Sequence, residues 1–325
     1  MPELPEVETI RRGLEVHLTG RRILQVRVRE TRLRRPLNPK KLRAVAIGRR
    51  VREIRRRAKY LILDLEPADH LLVHLGMTGQ LFIGRPGLPP VPHEHVVFDL
   101  DDRNTLRFAD TRRFGLLEPV LEGGLERHPL LLGLGPEPLG NGLDPVDLRE
   151  RTRRLRKPIK NFLLDSRAVA GVGNIYACEA LFRAGIHPAL QLRRMDEQRW
   201  RVLVSELRRV LRQAVKRGGT TLQDFVNAEG EAGYFQMRLR VYAREGELCK
   251  VCATQIRCVV QAGRSTYFCP HCQTRRRPLH APGTIPGRVR QPRSPATAKR
   301  VARGNGARAL RASGPAPRRP RRRSP

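Results

Sequence analysis

Pro2-Glu3-Leu4-Pro5-Glu6-Val7-Glu8-Thr9-Ile10 opens the chain with a helix signal from which the placing of the rest follows. From Glu3 to Leu18 the apolar residues Val7, Ile10, Leu14 and Leu18 recur at the spacing of an amphipathic helix. Pro and Glu in a first turn suit the helix dipole. A helix that starts so near the terminus holds that terminus against a core. Beyond it, short runs at 23–28, 60–65, 71–75, 80–83, 96–100 and 105–108 are strand-like and parted by turns, which predicts an antiparallel sandwich or barrel. From about Asp144 the pattern turns helical. Over 196–217, Trp200, Leu203, Leu207, Leu211 and Ala214 share one face, Asp196 is placed to cap the start and Gly218 follows the end. The expected class is α+β.

At 325 residues the chain is long for a single domain, and its formal charge of +34 favours a polyanion as partner. Residues 273–325 hold 16 Lys or Arg, nine Pro and no Asp or Glu. Taking those 16 from the 65 basic residues leaves 49 against 31 acidic ones, so residues 1–272 are strongly basic by themselves. The tail has no apolar run to offset ordering entropy and is expected to be disordered. There is no apolar stretch of about 18 residues, and the first residues are acidic where a signal peptide is basic and then apolar. A soluble, cytoplasmic protein without a membrane partner is expected.

Cys249-x2-Cys252 and Cys269-x2-Cys272, with sixteen residues between the pairs, supply four thiolates across a hairpin. Such a set suits one structural Zn2+ in tetrahedral geometry, with no open position for catalysis; an iron–sulfur site or reduced thiols are the alternatives. Cys178 and Cys258 are expected to be ordinary buried thiols. The hairpin at 255–268 carries Arg257 and Arg264, either of which could face DNA or simply solvent.

If Met1 is removed, as is normal before a small residue, Pro2 exposes a secondary amine. An α-amino group has a pKa near ~8, so part of it is neutral and nucleophilic at neutral pH. It can attack an aldehyde-like sugar carbon while Glu3 or Glu6 moves protons. The plainer reading is a favourable first helical turn. Lys59, in Arg56-Arg57-Ala58-Lys59-Tyr60, either reaches into a cleft or is a solvated strand-end charge. In His74-Leu75-Gly76-Met77-Thr78-Gly79, Met77 is a candidate wedge for a base stack or a core residue. Asp110-Thr111-Arg112-Arg113-Phe114-Gly115 brings Arg and an aromatic together, for an unpaired base or in a salt-bridged turn. Gly171-Val172-Gly173-Asn174-Ile175-Tyr176 looks like a glycine turn opening a helix, whose amides can hold a phosphate with Asn174 adding a donor. No Rossmann-type strand precedes it, so no nucleotide cofactor is expected.

Together these segments resemble the formamidopyrimidine-DNA glycosylase family, also called the MutM family. The Met1–Thr9 start, Arg57-Ala58-Lys59-Tyr60, His74–Gly79, Arg112-Arg113-Phe114-Gly115, 133–139, 171–177, Gly218-Gly219-Thr220-Thr221 with Asp224-Phe225, Gly233-Tyr234-Phe235, Val241-Tyr242 and the cysteine array recur in family order over about residues 1–272. The resemblance implies an N-terminal antiparallel β-sandwich catalytic domain (1–140), a helix–two-turn–helix domain (141–235), a zinc-finger hairpin (236–272) and then the disordered basic tail (273–325). It implies a monomeric base excision repair enzyme on double-stranded DNA containing oxidised bases. Such an enzyme is a bifunctional glycosylase and abasic-site lyase that removes 8-oxoguanine and formamidopyrimidines from a flipped nucleotide.

By the same resemblance Pro2 is the nucleophile at C1′, Glu3 the proton donor, Lys59 an aid to β-elimination and Arg264 to δ-elimination. Met77, Arg112 and Phe114 fill the void left in the duplex. His74, His93, Lys160, Asn174, Tyr242 and Arg264 contact phosphate or DNA, with Arg154 as a further DNA contact. The segment Thr220–Tyr234 corresponds to the loop that closes over the lesion. Thr78 stands where the family has serine, Ala232 where proline is common, and the tail is a larger departure. Two other readings are an endonuclease VIII-like glycosylase for oxidised pyrimidines and a non-catalytic DNA-binding zinc protein.

Overall fold

The computed structural model describes residues 2–218 and 239–273, all within one compact unit, Met1–Arg288. Helix α1 (Leu4–Leu18) carries Pro5 in its first turn and buries Leu4, Val7, Ile10, Leu14 and Leu18, the stripe its sequence predicts. Then come β1 (Ile23–Val28), α2 (Pro39–Ala46), β2 (Val51–Arg57), β3 (Tyr60–Leu65), β4 (His70–His74), β5 (Gly79–Gly84), β6 (Glu94–Leu100), β7 (Thr105–Asp110) and β8 (Leu116–Val120). These strands form two four-stranded antiparallel sheets, ordered β1-β6-β7-β5 and β2-β3-β4-β8. Val26, Leu63, Val73, Phe98 and Phe108 from the two sheets meet the stripe of α1 in one core. The sandwich is therefore closed over the helix that starts the chain.

Strands β3 and β4 are buried along their whole length. The second sheet carries another apolar layer on its far face, where Tyr60, Ile62, Leu72 and Leu116 pack with Leu125 and with leucines of α3 (Pro129–Leu132). Two strands lacked a sequence signal for physical reasons. In β2 a register shift between Val51 and Glu53 breaks the two-residue alternation and leaves Val51 and Ile54 three apart as the buried pair. In β8 Pro119 masks the strand, and it is tolerated because β8 is an edge.

The helical part comprises α4 (Pro145–Thr152), α5 (Ile159–Leu163), α6 (Asn174–Arg183) and α7 (Glu197–Lys216). Its core holds Ile159, Tyr176, Leu181, Trp200 and Leu207. Asp196 caps α7 by accepting from Arg199 N at 2.8 Å, and Gly218 follows it with φ +79, as the sequence predicts. Next, β9 (Arg257–Gln261) and β10 (Arg264–Phe268) form a hairpin packed near α6 through Cys178, Phe182, Val241 and Ile256.

Two expectations change. Cys258 is only half-buried, because β9 is a strand of a two-stranded hairpin with little to cover it. Gln273, expected to begin the tail, is fully buried: its amide accepts from Cys269 N at 2.9 Å and donates to Ile186 O at 2.9 Å, so it belongs to the finger. The Thr220–Tyr234 loop and the expected disorder from residue 274 onward lie outside the described residues. Among the described residues no helix is long and apolar enough to cross a membrane.

Candidate active site

The start of α1 and the start of α6 are built into each other. Leu4 N donates to Gly171 O at 3.1 Å. The buried Glu3 carboxylate accepts from Ile175 N at 2.9 Å and Tyr176 N at 3.4 Å, two amides of the first turn of α6. Glu6, also buried, accepts from Glu3 N at 2.9 Å and from the Tyr176 hydroxyl at 2.5 Å. The glycines follow from this. Gly171 sits at φ +79 with Leu4 against it, and a Cβ on Gly173 would strike the Glu3 carboxylate. Burial raises the Glu3 pKa, the nearby charge of Lys59 opposes that, and Glu6 adds to it. Pro2 is buried beside this pair.

Lys59 enters on the β2–β3 hairpin. Arg57 pairs with Tyr60, so Ala58 and Lys59 make the two-residue turn, with Ala58 at φ 53. The turn is held from outside the hairpin by Glu137, which accepts from Ala58 N at 2.6 Å, Arg56 at 2.9 Å and Arg57 at 3.1 Å. Burial lowers the Lys59 pKa; Glu3 and Glu6 oppose that, while Arg264 adds to it. Glu3, Glu6 and Arg264 are therefore near enough to Lys59 for their charges to act on it.

His74 ends β4, cross-strand from Tyr60, with the rings 4.8 Å apart. Its Nδ1 accepts from Gly76 N at 2.9 Å, which leaves the proton on Nε2. Burial, with Arg34 and Lys59 nearby, lowers its pKa to about 4, so it is a neutral donor at pH 7. Two loops then meet. Met77 is 40% and Phe114 46% exposed, and the Arg112 guanidinium lies 4.6 Å from the Phe114 ring centre. Buried Asp110 pins both loops, accepting from Thr78 Oγ1 at 2.6 Å, Arg112 N at 3.2 Å and Gly115 N at 2.7 Å. Gly76, at φ +63, lets the Met77 loop touch the Phe114 backbone. His93, exposed at φ 59, offers its carbonyl to Asp110 N.

Arg264 follows a turn at Ala262 and Gly263, with φ 51 and 69, the two-residue form with both residues left-handed. The hairpin is clamped at the next residue. Ser265 O accepts from Asn174 Nδ2 at 2.9 Å and Lys160 Nζ at 3.2 Å, and Thr266 Oγ1 takes a further bond from Lys160 at 2.7 Å. Tyr242 is half-buried, 5.1 Å ring to ring from Tyr267. Its backbone, with those of Arg240 and Val241, donates to the buried Glu179 carboxylate. Arg154 is exposed beyond the end of α4.

The sulfurs of Cys249, Cys252, Cys269 and Cys272 lie within 4.8 Å of one another, with Cys252–Cys269 at 3.4 Å and Cys249–Cys272 at 3.9 Å. Four thiolates at about 2.3 Å from one zinc stand roughly 3.8 Å apart, so the cluster fits a single tetrahedral structural ion.

Three family models match: the formamidopyrimidine-DNA glycosylase N-terminal domain at residues 1–117, its H2TH domain at 134–226, and the zinc finger found in FPG and IleRS at 246–275. The formamidopyrimidine-DNA glycosylase of Methylococcus capsulatus is 51% identical over 273 residues, spanning 84% of this chain and all of that protein. That of Hahella chejuensis is 48% identical with the same coverage. The chain belongs to the formamidopyrimidine-DNA glycosylase family. Among solved structures, MutM (Fpg) of Thermus thermophilus is 44% identical with a TM-score of 0.74, covering 84% of this chain and 98% of that one. Lactococcus lactis Fpg in complex with DNA containing an abasic site is 33% identical, with a TM-score of 0.78 over 84% of this chain and 100% of that one.

Two of the expected DNA-contact residues and the glycine turn also have a structural part: Glu3 takes the Ile175 and Tyr176 amides, so the turn at 171–173 cradles the N-terminus, and buried Lys160, with Asn174, holds the hairpin through Ser265 and Thr266. Glu137, Asp110 and Glu179 were missed. Each is a carboxylate that accepts backbone amides, a role with no sequence periodicity; the only trace is an acid within an apolar or glycine-rich setting.

Proposed function

We propose that this protein excises oxidised purines, 8-oxoguanine and formamidopyrimidines, from double-stranded DNA and then cleaves the strand, acting as a monomer without a nucleotide cofactor in a bacterial cytoplasm. The observation that supports the reading is that buried Pro2 adjoins a buried Glu3 held on the start of α6, with its carboxyl pKa raised by burial and opposed by the charge of Lys59, which Arg264 in turn influences. Solved relatives bind DNA containing carbocyclic 8-oxo-G, at 34% identity and a TM-score of 0.77, and DNA containing Fapy-dG.

With Met1 removed, the Pro2 nitrogen attacks C1′ of a flipped nucleotide and the glycosidic bond breaks. The departing base takes a proton, for which Glu3 is the donor; the C1′–O4′ bond then opens, O4′ taking the proton that the Pro2 nitrogen gives up, and the sugar is left as an iminium on Pro2. Loss of a C2′ proton then expels the 3′ phosphate, with Lys59, whose pKa burial lowers, as the base. Arg264 assists the second elimination at the 5′ side. Met77, Arg112 and Phe114 occupy the vacated stack, Arg112 facing the orphaned base. His74, His93, Lys160, Asn174, Tyr242 and Arg154 are assigned to DNA contacts, and Asn174 and Lys160 also hold the hairpin that carries Arg264. The zinc, on its four cysteines, keeps the hairpin folded and takes no part in the chemistry.

A substrate panel tests the assignment: faster release of 8-oxoguanine opposite C than of thymine glycol is expected. The reverse order gives the protein to the pyrimidine branch.

A further inference from the structure

On the outer face of the β1-β6-β7-β5 sheet, beneath the loop 85–90, lies a pocket of about 240 Å³. The face is fixed by alternation: Val26, Val96 and Phe108 point into the core, so Arg27, Val97 and Arg107 point out. Five arginines line the pocket, Arg27, Arg29, Arg85, Arg103 and Arg107, against one carboxylate, Glu94.

Two of these residues build the wall. Arg107 is nearly buried and spends its guanidinium on Leu88 O at 2.7 Å, Pro89 O at 2.8 Å, Thr105 Oγ1 at 2.9 Å and Glu94 at 3.1 Å. It thereby ties the loop down over the sheet, and Gly84 has no Cβ because that side chain crosses it. Buried Glu94 also pairs with Arg29 at 3.0 Å, and Arg27 pairs with Asp99 at 2.6 Å. The side chains of Arg85 and Arg103 make no hydrogen bond or ion pair among the described residues, so five guanidiniums are set against two carboxylates.

We propose that this pocket is a second phosphate-binding site, outside the Pro2–Lys59–Arg264 cleft, with Arg85 and Arg103 as its free ligands. A fixed wall with two uncommitted guanidiniums is matched by phosphoryl oxygens, which accept forked bonds from Arg. The phosphoryl groups come either from a free polyphosphate or from backbone of the bound DNA beyond the lesion.

The test is calorimetric titration of the full-length, zinc-loaded protein with inorganic diphosphate at constant ionic strength, beside the double variant Arg85→Ser/Arg103→Ser and Arg112→Ala. Saturable one-to-one binding is expected to the native protein and to Arg112→Ala, with affinity lowered at least about tenfold in the double variant. Both substituted side chains are exposed or at the pocket rim and unpartnered, and an unchanged yield of borohydride-trapped adduct on a short damaged duplex checks that the variant is folded. Binding to the double variant as tight as to the native protein, or no saturable binding to the native protein, overturns the proposal. The source is read from long duplex DNA: a salt-dependence slope reduced by about 0.9 per lost contact assigns the site to DNA backbone. An unchanged slope with diphosphate binding lost assigns it to a free polyphosphate.

Discussion

The Glu3 carboxylate accepts from Ile175 N at 2.9 Å, so the acid beside the N-terminal proline is oriented by a helix some 170 residues away in the chain. That bond joins the sandwich to the helical part at the point where chemistry is proposed. A carboxylate at a helix start is favoured by the dipole, yet burial outweighs this and leaves Glu3 more readily protonated than a free carboxyl.

Gly173→Ala should therefore separate activity from folding. The added methyl strikes the Glu3 carboxylate, and a displacement of about 1 Å costs on the order of a hundredfold in rate. Single-turnover release of 8-oxoguanine is expected to fall by about that factor while the protein remains folded by circular dichroism. A variant with native excision rates shows that Glu3 need not sit at α6.

The pH profile of excision should be bell-shaped, rising as the Pro2 amine loses its proton and falling as Glu3 loses its own. Because the folded pKa of Glu3 is raised, its proton is held above the ordinary 4.5, and the stability it contributes is present below that value and lost as pH rises through the raised one. Glu6→Gln removes a neighbour that raises it, so the falling limb should move to lower pH while the rising limb stays. A falling limb that stays put or moves up contradicts this.

Glu137→Ala leaves Ala58 N without its acceptor and takes one carboxylate partner from Arg56, which keeps Glu8, and from Arg57, which keeps the Leu134 and Gly135 carbonyls. Destabilisation of about 1–3 kcal/mol is expected from thermal or urea unfolding. Cleavage at a preformed abasic site should slow more than for Arg154→Ala, because Lys59 rides on that turn.

Removing zinc acts at the other side of the cleft. Cys249→Ser should lower the metal content, loosen the hairpin and reduce the second elimination, so that the product ending left by the first accumulates. Full metal content with native product distribution denies the finger its structural role.

Much of this was legible in the sequence where a period or a spacing exists. The stripe of α1, the limits of β1 and β3, the capped α7 and the four cysteines follow from local rules. What was not legible depends on long-range pairing. The bulge in β2 hid its alternation, and Pro119 hid an edge strand. The glycine turn at 171–173 was read for a phosphate because nothing local reveals that residue 3 arrives there. The burial of Lys160 was not legible, since a buried lysine shows itself only through its acceptors, Ser265 and Thr266, about a hundred residues on.

The central claim is that Pro2 forms a covalent bond with the sugar, and borohydride trapping on duplex DNA containing 8-oxoguanine tests it most directly. The native protein, with Met1 removed, is expected to give a stable protein–DNA adduct whose linked residue is Pro2 by mass spectrometry, and Pro2→Gly or an N-terminal extension should lose it. No adduct from the native protein, or an undiminished adduct with the N-terminus blocked, contradicts the account.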